Sequence, residues 1–171
     1  MTVPQILASQ LQSVSLFRNM ESISLRAASL EDAQALYAWA TDEEVRRWSF
    51  NTRGFSYESH VEWLSEKLNN SDQMQILMAN IGADQIGYIR FERLSPDMAE
   101  VSFALAGLWR GQGLGTRLLT IGISHIKEIW TGLIAIQGKV KPGNVASEKL
   151  FEKLAFDRSQ GDTATVFLRK I

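Results

Sequence analysis

The chain has no cysteine. Disulfides, thiol nucleophiles and cysteine zinc sites are thereby excluded together. Two histidines without cysteines make a poor metal site, and no metal is expected. No apolar run approaches the length that spans a bilayer. Residues 1–20 have neither the basic start nor the continuous apolar core of a signal peptide, so a cytoplasmic setting is expected. Charge of one sign is scarce too. The net charge is −1 and no block is rich in lysine or arginine, which leaves no field suited to nucleic acid or to a membrane surface. What is present is an ordinary globular composition, 45% hydrophobic and 22% charged, over 171 residues. That length suits one domain with a real core.

Periodicity gives an ordered series of elements. Residues 1–21 form an N-terminal extension in which Pro4, Ile6, Leu7, Leu11, Val14 and Leu16 are spaced as a short amphipathic helix. A docked arm, a partner contact and a linker remnant all remain open for it. The domain proper is read as residues 22–171. Ile23-Ser24-Leu25-Arg26 alternates as a first strand, and Ser29 with Asp32 gives an acidic variant of the capping box. Ala33, Leu36, Tyr37 and Ala40 form one face of the helix that follows, and Asp42 can cap a further short turn. Residues 48–54 read as an unusually aromatic loop, and Ser56 starts a helix to about Leu68. Strands are expected at 74–79, 85–93 and 99–105, joined as antiparallel hairpins. A long helix over 114–130, a buried strand over 133–137, a helix over 144–154 and a strand over 163–168 complete the chain. The expected fold is α/β, with one mixed, mostly antiparallel sheet of about six to seven strands flanked by about four helices.

The most informative stretch is Arg110-Gly111-Gln112-Gly113-Leu114-Gly115-Thr116, between an apolar strand and the long helix. Glycines at alternate positions let the backbone turn tightly and aim several N–H groups at one point, and the helix adds its free amides and dipole. An anion is the expected guest. A P-loop is excluded because no lysine stands in the motif, and a dinucleotide fingerprint because Thr116 and Leu118 occupy the places of its third glycine. A glycine-rich turn with no ligand stays open on the loop alone.

Arg-x-x-Gly-x-Gly after a strand resembles the pyrophosphate loop of the GNAT acetyltransferases, which transfer acetyl groups from acetyl-CoA to amines. A second stretch, Asn144-Val145-Ala146-Ser147-Glu148-Lys149-Leu150-Phe151-Glu152-Lys153-Leu154-Ala155-Phe156, resembles the helix that closes the cofactor site in that superfamily. The order of elements matches as well. The resemblance implies the GNAT fold, with acetyl-CoA as co-substrate held by residues 110–116, Asn144 and Phe151. It also implies alignment of the thioester along the backbone of Phe103, Ala104 and Leu105. Two departures stand out. Phe151 replaces the usual tyrosine whose hydroxyl protonates the leaving thiolate, and Ala155 replaces a glycine, which implies a slightly different helix exit.

For the base that strips the ammonium, Glu100 is the first candidate and His60 the second, the imidazole being suited to neutral pH. The more ordinary readings are a surface glutamate at a strand end and a helix-flank histidine bonded to backbone. The segment Val45-Arg46-Arg47-Trp48-Ser49-Phe50-Asn51, with His60 and Trp63, resembles the branch that acetylates the 4-amino group of UDP-linked amino-sugars on the way to nonulosonic acids. That resemblance makes Arg46, Trp48, Asn51 and His60 candidate acceptor-binding residues, and Tyr88 joins them as an aromatic able to stack on a uracil or sugar face. Core packing for Tyr88 and a turn cap for Asn51 are the structural alternatives. The expected partner is a small-molecule amine, with no nucleic acid or membrane, on a monomer or homodimer. A protein N-terminus as acceptor and a silent CoA-binding module are the competing functions.

Overall fold

A computed structural model describes residues 22–171; the proposed helix of the N-terminal extension lies outside the described residues. The elements run β1 (Ile23–Ala27), α1 (Ala33–Thr41), α2 (Glu43–Trp48), α3 (Tyr57–Leu68), β2 (Met74–Ile81), β3 (Asp84–Ser95), β4 (Met98–Leu105), α4 (Leu114–Ile129), β5 (Ala135–Val140), α5 (Val145–Lys153), β6 (Asp157–Gln160) and β7 (Thr165–Lys170). Single 3-10 turns precede α1 and follow β4.

The helix starts follow from their caps. Asp42 Oδ1 accepts from the Val45 amide (3.1 Å), Ser56 Oγ from Ser59 (3.2 Å) and Asn144 Oδ1 from Ser147 (3.2 Å). Each satisfies one of the amides that a helix start leaves bare. The acidic capping box is present, the Ser29 amide donating to Asp32 Oδ2 at 2.8 Å. Arg26 and Gln85 also donate to that carboxylate, and the Arg26 guanidinium holds its pKa below the usual carboxylate range.

All strands join one seven-stranded sheet in the order β1-β2-β3-β4-β5-β7-β6. Every neighbouring pair is antiparallel except β4 and β5. Alternation along the strands divides the core in two. One cluster, with Leu77, Ile89, Phe91, Val101, Leu118, Ile126, Ile136 and Phe167, fills the face under α4 and α5. A smaller one, with Leu36, Leu64, Met74, Ile76 and Met78, lies under α1 and α3.

The expected mixed sheet flanked by about four helices is borne out; among the described residues there are five α-helices, since the turn capped by Asp42 makes a full short helix. The strand expected at 133–137 begins two residues later: Leu133 is buried, but its amide turns back to the Trp130 carbonyl (2.9 Å). β6 was not anticipated, because its four residues are all exposed and carry no alternation. Among the described residues, no helix is long and apolar enough to cross a membrane.

Candidate active site

The site begins where two strands part. β4 and β5 pair only at Met98↔Ala135, Ala99↔Ile136 and Glu100↔Gln137. Beyond that point β4 runs on to Leu105 and β5 to Val140 with no register between them, so a cleft opens between the strand ends. Phe151 lies beneath the cleft. Its ring is buried, 6.5 Å from the Phe103 ring of β4 and against Gly138 of β5, where any Cβ would overlap it. Stacking on Phe167 (5.1 Å) and an edge contact with Phe156 (5.0 Å) fix it there. Phe151 is thus a core group that supports the cleft floor and offers no donor. On the other side of β4, Gly87 (φ +155°) lets β3 approach so closely that a Cβ would overlap the Ala104 carbonyl.

The glycine loop stands at the end of β4. Gly111 and Gly113 have φ of +72° and +75°, a region that only glycine enters at low cost. Gly113 is the N-cap of α4, and no side chain caps that helix. Its first amides therefore keep the open valences of a helix start. Gly115 packs so tightly under the loop that a Cβ would sit 2.9 Å from Leu150 Cδ1 and 3.6 Å from Phe103 Cε2. Leu114 is buried and Thr116 half-buried, while Gly111, Gln112 and Gly113 face solvent. The Gln112 side chain folds back to the Leu108 carbonyl (2.7 Å).

Arg110 behaves differently from the rest of the loop. Its amide donates to the Gly107 carbonyl (3.3 Å), so it is already spent. Its guanidinium joins the Leu105 carbonyl (2.8 Å) to Asp42 (2.8 Å). Because Asp42 also caps α2, one arginine ties the end of β4 and the loop to the helix beside the cleft mouth. Asp42 is held below the usual carboxylate pKa first by the Val45 amide, then by Arg110.

The opposite face of β3, β4 and β5 is polar. Register places Tyr88 beside Ala104, Arg90 beside Ser102, Glu92 beside Glu100, and Glu100 beside Gln137. Gln137 Nε2 (2.9 Å) and Lys139 Nζ (2.8 Å) both reach Glu100 Oε2, which leaves Oε1 to accept from an ammonium or a water. Tyr88 stacks on Trp39 (6.3 Å, 14°), and burial pushes its phenol pKa up against the opposing effect of Arg90. The sequence did not single out Arg90, Ser102, Gln137 or Lys139; their only signal is alternation read across three strands in the right register.

The rim is formed by α2 and the loop after it. Lys141 Nζ approaches the Arg47 carbonyl (3.4 Å) and lies over the Phe50 ring (5.9 Å). The Trp48 ring comes near Gly143. With Asp42 held at the β4 side, α2 therefore spans the mouth of the cleft. Trp48 donates its indole N–H to Glu44 (2.8 Å), Arg46 bonds the Arg53 carbonyl (2.8 Å), and Asn51 Oδ1 accepts from the Arg53 amide (3.0 Å) in a side-chain turn. His60 is not brought to this groove. It is 6% exposed between α1 and α3, with Tyr37, Phe55 and Trp63 rings 5.6–5.9 Å away. Burial lowers its pKa, a hydrogen bond to the Ala33 carbonyl opposes this, and Nε2 has no partner among the described residues.

The sheet is split at its single parallel pair, with a helix start that no side chain caps at one strand end and a carboxylate on the far face, groups suited to holding an anion and accepting a proton. The family profile described as acetyltransferase (GNAT) domain matches residues 22–157, and the chain belongs to that family. It is an acetyl-CoA-dependent N-acetyltransferase. Among solved structures, it is similar to the ribosomal L7/L12 α-N-protein acetyltransferase RimL in complex with coenzyme A. That match has a TM-score of 0.76 and 17% identity, over 88% of this chain and 94% of the other. The aminoglycoside acetyltransferase AAC(6')-Ib with coenzyme A and kanamycin matches at 0.72 and 18%, over 87% and 95%. A domain from Methanocaldococcus jannaschii matches at 0.77 and 16%, over 88% and 99%. The comparison with curated proteins finds no match. The residues present fit the co-substrate: bare amides and positive-φ glycines suit a pyrophosphate, and the cleft leads from them to Glu100.

Proposed function

We propose that the acceptor is a nucleotide-linked amino-sugar, acetylated on its 4-amino group, with UDP as the nucleotide. The observation that carries this reading is the rim: exposed Phe50 and half-buried Trp48 gather with Arg47 and Lys141 at the cleft mouth. Aromatic faces suit a uracil or sugar ring, and cations suit a diphosphate. Acetyl-CoA supplies the activated thioester. The chain's own groups do the rest. Glu100 Oε1 takes the ammonium proton, directly or through a water, because only the neutral amine has a lone pair to attack with. A backbone N–H of the stretch Phe103 to Leu105 that is turned away from β3 meets the charge that develops on the carbonyl oxygen. With Phe151 unable to donate, the acid is water, Tyr57, or Tyr88, whose phenol burial keeps protonated and whose register is with Ala104.

A protein N-terminus is the second reading. It is favoured by Glu92 and Glu100 facing each other across β3 and β4, an acidic spot suited to a terminal ammonium. Release of CoA thiol from acetyl-CoA, measured on UDP-4-amino-4,6-dideoxy sugars, simple amino-sugars, polyamines and short peptides, separates the two. Turnover confined to the UDP-amino-sugars is expected. Turnover on peptides alone sinks the sugar assignment and leaves the acetyl-transfer chemistry standing.

A further inference from the structure

On the polar face of β3 to β5, Arg90 has no carboxylate partner among the described residues. Arg90 is half-buried, its Nε donating to Ser102 Oγ (3.1 Å) and its guanidinium lying over the Trp63 ring (5.9 Å). Other arginines of the domain are spent differently. Arg26, Arg47, Arg110 and Arg158 pair with carboxylates, and Arg93 gives its donors to the Asp72 and Pro96 carbonyls. The terminal nitrogens of Arg90 have no protein partner among the described residues and are not buried, so they are available to an incoming oxyanion.

We propose that Arg90 binds an anionic group, phosphate or carboxylate, carried by the acceptor, and so selects amines that bear a negative charge. The inference rests on the reading that the acceptor lies over this face, and it deepens that reading by naming what the acceptor must carry. Two neighbours make the site. Ser102 and Trp63 hold the guanidinium from two sides, leaving its terminal nitrogens in the fork that suits oxyanions. Glu92 lies two residues further along the same face, about 7 Å away by strand rise. Beside it stands Glu100, which receives the ammonium. The face thus offers a negative end and a positive end, matching a molecule whose amine and anion are separated by roughly that distance. A sugar ring between an amino carbon and a phosphate meets this requirement, as does an amino acid with a distal carboxylate.

The test compares the full chain with Arg90→Gln and Arg90→Lys variants, following CoA thiol release and checking thermal melting for correct folding. The acceptors are a UDP-4-amino-4,6-dideoxy sugar, its phosphate-free methyl glycoside, and a short peptide with free or amidated C-terminus. Arg90→Gln is expected to raise KM for the anionic acceptor about tenfold or more, as loss of a charge-assisted contact does. The neutral acceptor and the KM for acetyl-CoA stay unchanged, and Arg90→Lys restores part of the loss. An equal effect on charged and neutral amines overturns the proposal. A measurement independent of the acceptor follows tryptophan fluorescence while inorganic pyrophosphate or acetate is titrated into protein saturated with CoA. Saturable binding by the unmodified chain that Arg90→Gln abolishes supports the site, and the tighter anion tells phosphate from carboxylate. No saturable binding overturns it even if UDP-amino-sugars are substrates. Saturable binding without turnover of UDP-amino-sugars keeps the anion site and sinks the sugar assignment.

Discussion

The two sides of the cleft are built on different principles. The side proposed to hold acetyl-CoA is made of backbone: amides at a helix start, glycines at φ values closed to other residues, and a buried aromatic support in Phe151. The proposed acceptor side is made of side chains, Glu100, Arg90, Tyr88 and the rim of α2, held by individual contacts over a smaller core. Backbone geometry tolerates few sequences, whereas a side-chain surface changes one residue at a time. On the proposed reading, the backbone side holds the co-substrate and the side-chain side meets the acceptor.

That contrast can be broken most severely from beneath the cleft. Gly138→Val places a branched side chain where the Phe151 ring lies, and overpacking plus displacement of the ring is expected to cost about 3 kcal/mol or more. Denaturant unfolding reads the loss, and Trp48→Ala at the rim serves as the small-effect counterpart. If both variants unfold at the same midpoint, the cleft floor is not the rigid half.

A smaller effect belongs to the acceptor-side core. His60 has a pKa lowered by burial, so the unfolded chain binds the extra proton first and stability rises with pH through that range. The contribution is complete above pH ~6.5 and is lost as pH falls below it, by up to roughly 1.4 kcal/mol per pH unit. Asp32 and Asp42, whose pKa values are lowered, act only at more acidic pH. The melting temperature is therefore expected to fall between pH 6.5 and 5, and the His60→Phe variant to flatten that slope. An unchanged slope removes His60 as its cause.

The smallest effect sharpens the backbone side. α5 ends with the Phe156 amide on the Phe151 carbonyl (3.1 Å), the Ala155 amide on Glu152 (3.0 Å) and the two phenylalanine rings in contact. This is the helix stop that a glycine usually completes, and Ala155 adopts it at φ +56° despite its Cβ. The helix exit thus has the left-handed conformation that glycine favours. Ala155→Gly is expected to stabilise by roughly 1 kcal/mol, relieving left-handed strain, as thermal melting can show.

These contrasts also explain what the sequence revealed. The glycine loop was legible because an amide cradle needs glycine at fixed places, and the helix starts because capping residues stand three positions from their targets. The polar face was legible only in part: Glu100 and Tyr88 stood out singly, but the contacts that surround them did not. Asp42 and Arg110 are 68 residues apart, and Glu100 meets Lys139 only through strand register. His60 attracted attention for its chemistry, yet the helix face it occupies turns it into the core.

Acetyl-CoA affinity, measured by titration calorimetry without any acceptor, tests the central division most directly. Gly113→Val, at φ +75°, is expected to weaken binding about tenfold or more, while Glu100→Gln on the far face leaves it unchanged. Unaltered binding by Gly113→Val, or an equal loss in Glu100→Gln, would contradict the account.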